Sequence, residues 1–68
     1  MISQKKSEVD MASIWRNRIW AGTKTFDELH EKAQRYEEEV LRLMREDVAS
    51  GKHSAEEFES KTGIPYED

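Results

Sequence analysis

Large apolar side chains recur at intervals of three and four along most of this chain, the spacing of one face of an α-helix. The first run is Met11, Ile14, Trp15 and Ile19. Projected at about 100° per residue, it fills an arc of about 140°, the width of an ordinary buried helix face. It stops at Ala21-Gly22, where glycine suits the left-handed residue that closes a helix. The spacing predicts a helix over 10–21. Residues 1–8 show no such periodicity and read as a flexible tail.

A longer stripe follows. Phe26, Leu29, Ala33, Tyr36, Val40, Leu43 with Met44, and Val48 keep helical spacing, and no Gly or Pro interrupts them before Gly51. Thr25 with Glu28 three residues on is a capping box at the start. Glu28–Lys32, Glu31–Arg35 and Glu38–Arg42 stand as i,i+4 pairs in the favourable order. One helix over 26–49 is predicted, roughly 36 Å long; a bend near 34–37 stays open. Ser54 with Glu57 makes a second capping box, for a short helix over 55–61 anchored by Phe58. Thr62-Gly63 ends it, and Ile64-Pro65-Tyr66 is an extended tail that can fold back.

No strand alternation and no internal repeat appears. The expectation is an all-α fold: one small three-helix domain, its long central helix packed on helix 1 and a short C-terminal helix closing one end. The expected core is Met11, Ile14, Trp15, Ile19, Phe26, Leu29, Ala33, Tyr36, Val40, Leu43, Met44, Val48 and Phe58.

Composition narrows the class. Sixty-eight residues make a thin core, and with no cysteine there is neither a disulfide nor a thiolate metal site to brace it. No apolar run approaches the roughly 18 residues of a membrane span. Lys5 and Lys6 lack the apolar stretch that would make a signal peptide, so secretion by one is not expected. Net charge is −4 and uneven: residues 1–25 carry five basic and two acidic side chains, a balance of +3, and the remainder six basic and thirteen acidic, −7.

Two positions fit the pattern poorly. Trp20 projects about 140° from Trp15, beside Ser13, Arg16 and Asn17. Either it folds over the glycine turn onto Phe26 or the Tyr66 tail, or it anchors an interface. Tryptophan and arginine are enriched among interface anchors, so Trp20, Arg16, Lys24 and Tyr66 form the candidate interface. Asp47 projects onto the apolar face of the long helix: it is either an end-of-helix residue near water or the partner of Arg18, which lies in the middle of helix 1's apolar arc.

Reaction chemistry is not legible. "HEKAQ" at 30–34 starts like a zinc-protease helix but has Gln34 at the second ligand position, and His53 is remote. Each glycine follows a helix, so none is left for a phosphate loop. No catalytic residue, metal or cofactor is expected, and the acidic runs Glu37–Glu39 and Glu56-Glu57 argue against nucleic acid. A protein partner or self-association is the expectation.

The stretch "GKHSAEEFESKTGIPYED" resembles the ends of the short XkdX-like proteins encoded among phage tail genes: Gly51, Ser54, Glu56-Glu57, Phe58, Thr62-Gly63 and Tyr66 carry the pattern. "WRNRIWAGTKTFDE" is similar to the start of longer phage relatives. His53 departs from the group's usual aliphatic residue, which predicts looser packing there. The resemblance implies a non-enzymatic, tail-associated accessory protein of a phage or prophage, located in the cytoplasm of a bacterial host or in the virion. The alternatives are a small acidic inhibitor of a host protein and a homo-oligomerising helical module.

Overall fold

The computed structural model describes residues 6–67, with side chains from Met11 onward. Among these residues four α-helices occur: α1 (Lys6–Ala21), α2 (Phe26–Lys32), α3 (Glu37–Ala49) and α4 (Ala55–Thr62), with one 3-10 turn at Gln34–Tyr36 between α2 and α3. No strand is present among the described residues. The all-α class is therefore observed, and the single long central helix is not. Helix α1 begins four residues before the predicted start, so residues 6–8, expected as tail, are helical. Residues 1–5 of that expected tail lie outside the described residues.

The 26–49 stripe breaks at Ala33, whose backbone is non-helical at φ −144° and ψ 47°. No breaker residue causes this. A 3-10 turn of three residues also advances the chain about one full turn, so Leu29, Ala33, Tyr36 and Val40 keep their spacing through a change of direction. A straight helix of about 36 Å would nearly fill the molecule's longest dimension of 40 Å. The break lets Leu29 and Val40 enter one core with Phe58. His30 of α2 spans it, its Nδ1 lying 2.9 Å from Glu37 Oε1 at the start of α3.

That core holds Ala12, Ile19, Phe26, Leu29, Val40, Met44 and Phe58, with Trp15, Trp20, Tyr36, Leu41, Leu43, Val48, Ile64 and Tyr66 among the partly buried side chains around it. Met11 and Ile14, both expected inside, are exposed at 37% and 43%. Helix α1 carries apolar residues nearly all round, so its sequence did not choose between two faces. The buried face is centred near Ala12, Trp15, Ile19 and Trp20, about 100° around from the predicted arc. Ala12 is small enough to let a neighbouring helix approach closely, and this rotation also aims Arg16 and Trp20 at a buried carboxylate. Rotated the other way, α1 would bury Arg18, which is exposed here.

The three helix ends closed by glycine fall where the sequence predicts them. After α1, the Thr23 N–H donates to the Arg18 carbonyl and the Gly22 N–H to that of Ile19; after α3, Lys52 donates to Asp47 and Gly51 to Val48. Both are Schellman closures. They require a left-handed residue, which Gly22 (φ 87°) and Gly51 (φ 88°) supply. Downstream of α4 the tail folds back, placing the Tyr66 ring edge-on to fully buried Phe58 at 5.6 Å. Arg45 lies over that same Phe58 ring, 5.5 Å from its centroid.

Candidate interface around Trp20

Asp47 organises the place where the C-terminal ends of α1 and α3 meet. It is the third residue from the end of α3, only 7% exposed, and its backbone carbonyl accepts the Lys52 N–H at 2.9 Å, closing the helix. A buried carboxylate needs donors. The Trp20 indole Nε1–H donates to Oδ2 at 2.8 Å, and Arg16 Nη1 stands 3.6 Å from Oδ1. Arg16 also donates to Ser13 Oγ at 3.0 Å, which fixes its course along α1. The cation expected opposite Asp47 was Arg18; it is Arg16, half a turn away, because α1 is rotated as described above.

His53 covers the other side of Trp20. The two rings stack in parallel, 3.8 Å between centroids and 7° apart in plane. His53 Nδ1 lies 3.3 Å from Glu57 Oε1, one turn into α4. The same Glu57 oxygen accepts the Ser54 N–H at 3.0 Å, while Ser54 Oγ accepts the Glu57 N–H at 3.1 Å, completing the capping box. The Ser54 N–H first, then His53 and Lys61, hold the Glu57 carboxyl below its ordinary range. The looser packing expected from a histidine at 53 is thus corrected: the imidazole finds a flat aromatic surface that an aliphatic residue could not stack against.

The four candidate interface residues divide. Trp20 and Arg16 come together at Asp47. Lys24 instead pairs with Glu28 (3.9 Å) and sits over the Trp15 ring, 5.9 Å from its centroid. Tyr66 belongs to the Phe58 contact, and its backbone N–H donates to Glu59 Oε2 at 3.2 Å. Within the chain, the half-buried Trp20 ring packs against the core, stacks on His53 and bonds to Asp47, contacts that neither reading of Trp20 named. Sequence reasoning missed His53, for which the signal was its place just before Ser54 in a connector whose glycine turn points back along the preceding helix.

The zinc-like fragment at 30–34 also has a place. Gln34 Nε2 lies 3.4 Å from His30 Nε2, and the other ring nitrogen faces Glu37. Among the described residues, no three His, Asp or Glu side chains are grouped to hold a metal ion. A shallow depression of about 340 Å³ between the start of α2 and the end of α4 is lined by Thr25, Phe26, Asp27, Ser60, Lys61, Thr62 and Gly63. No helix among the described residues is long and apolar enough to cross a membrane. No family model, curated protein or solved structure matches this chain.

Proposed function

We propose that the protein is a non-enzymatic helical module that works by protein–protein contact, as a tail-associated accessory protein of a phage or prophage. The observation that carries the contact part is the outer face of α1. Met11 and Ile14 lie there at 37% and 43% exposure, with half-buried Trp15 and exposed Arg18 on the same side of the helix. A domain this small gains from covering such apolar surface, and aromatic and arginine side chains are the usual anchors when it does so. The tail association rests on the XkdX-like pattern at 51–66, whose residues include the cap Ser54, the anchor Phe58 and the turn residue Gly63.

Two measurements test the two halves separately. A tagged chain expressed during prophage induction should co-sediment with tail structures; recovery only in the free-protein fraction removes the tail assignment. The double substitution Met11→Ser with Ile14→Ser should abolish that co-sedimentation while leaving the helical circular dichroism and the melting temperature nearly unchanged. If the double variant still co-sediments, the outer face of α1 is not the contact.

A further inference from the structure

We propose that His53 is a proton-operated latch: its imidazolium form clamps the start of α4 onto α1, and its neutral form loosens that contact. The argument rests on two connectors built to the same plan. After α1 the chain runs Gly22, Lys24, Thr25, Glu28; after α3 it runs Gly51, His53, Ser54, Glu57, at identical spacing. In each, the glycine closes one helix and the Thr or Ser caps the next. In each, the residue just before the cap lies over a tryptophan and faces the glutamate four positions on: Lys24 over Trp15 and toward Glu28, His53 on Trp20 and toward Glu57. The first connector holds a permanent cation in this position. The second holds the side chain whose ordinary charge change falls near pH 6.5.

The surroundings of His53 decide the sign. From α4, Glu57 lies 3.3 Å from Nδ1. From α1, the Trp20 ring presents its face, and its N–H is bonded to the Asp47 carboxylate of α3, which makes the indole a richer electron donor to a cation above it. Opposing these are Arg16, itself engaged with Asp47, the neighbouring Lys52, and the positive end of α4, where Glu56 stands beside Glu57. Two attractive contacts touch the imidazole directly; of the cations around it, Arg16 is engaged with Asp47, Lys52 is exposed to solvent, and Lys61 acts on the same Glu57 carboxylate. A proton on His53 therefore adds a cation–π contact with Trp20 that only the docked connector provides, while its ion pair with Glu57 holds the imidazole at the start of α4. Docking tightens as pH falls from 8 toward 5.5, above the range where carboxylates titrate.

Hydrogen exchange at the Phe58 amide, which donates to the Ser54 carbonyl in the first turn of α4, reads the latch. Corrected for intrinsic exchange, protection in the wild-type chain should rise about two- to fivefold between pH 8 and pH 5.5. In His53→Gln it should stay flat. In His53→Lys it should also stay flat, at the level the wild type reaches in acid, because lysine reproduces the permanent cation of the first connector. The wild-type chain gives an independent reading, since the Trp20 indole N–H resonance should move together with the His53 ring signals in one titration. A rise that persists in His53→Gln assigns the effect to His30 or to a carboxylate and overturns the proposal. So does an indole resonance that ignores the His53 titration.

Discussion

The connectors after α1 and after α3 share their punctuation but not their outcome. At Ser54 the capping box closes both ways, with Glu57 reaching back to the Ser54 N–H. At Thr25 only half of it forms: Thr25 Oγ1 accepts the Glu28 N–H at 3.1 Å, while the Glu28 side chain turns toward Lys24. Glu28 Oε1 ends up buried without a hydrogen-bond partner. The difference lies in the residue before the cap. A long lysine over the Trp15 ring draws its glutamate toward its ammonium; a short, flat histidine lies against Trp20 and leaves Glu57 free to bond the backbone and the imidazole together. One side chain thus redirects a local hydrogen bond that the rest of the pattern specifies equally in both places.

The largest test of this comparison is to remove each tryptophan in turn. Trp20→Ala takes away a packed ring, the donor to a buried carboxylate and the surface under His53, so a loss of about 2–4 kcal/mol is expected. Trp15→Ala, whose ring is half-buried with Lys24 above it, should cost about 1–2 kcal/mol. Urea unfolding of the two variants gives the order, and a larger loss for Trp15 would reverse the account of α1's buried face. Trp20→Phe isolates the hydrogen bond: keeping the stack but losing the N–H should cost about 1–3 kcal/mol. A neutral result would mean that Arg16 alone satisfies Asp47.

The caps give a smaller contrast. Ser54→Ala should lose about 1 kcal/mol, since it removes the hydroxyl that accepts the Glu57 N–H in a complete capping box, and Thr25→Ala about half as much. Equal melting temperatures for these two variants would erase the distinction between the connectors. Smallest is the acid limb. Because the Glu57 carboxyl is held below its ordinary 4.5, the folded chain binds that proton less readily than the unfolded one. Its contribution is complete above pH 4.5 and drains away as pH falls through the lowered value. Glu39, lowered by its hydrogen bond from Arg42, adds in the same direction. Glu57→Gln should therefore lose less stability than the wild type between pH 5 and pH 3, measured as the change in thermal midpoint.

Helix ends were the most legible part of the chain. Gly22, Gly51 and Gly63 close helices where they were placed, and Ser54 caps as read, because each signal is local chemistry that distant contacts leave alone. The core stripe from Phe26 to Val48 was also legible, since spacing of three and four survives a 3-10 turn. For the same reason the break at Ala33 was invisible. The orientation of α1 was not legible either: with Met11, Ala12, Ile14, Trp15, Ile19 and Trp20 distributed around it, the buried face is settled by Asp47 on another helix. Asp47 stood out as a charge on an apolar stripe, so half of the Trp20 site could be found from sequence. The cation that meets it depended on a rotation the sequence did not encode.

The turn at Ala33 carries a practical consequence for spectroscopy. No proline or glycine enforces it, so the angle between α2 and α3 is held by contacts such as Leu29 with its core neighbours and His30 with Glu37. When those contacts loosen, the 33–36 segment is released to join its neighbours in a continuous helix. Loss of tertiary order should then be accompanied by a local gain of helical signal. Far-ultraviolet dichroism will lag behind tryptophan emission during melting, and in trifluoroethanol the dichroism should exceed that of the native fold.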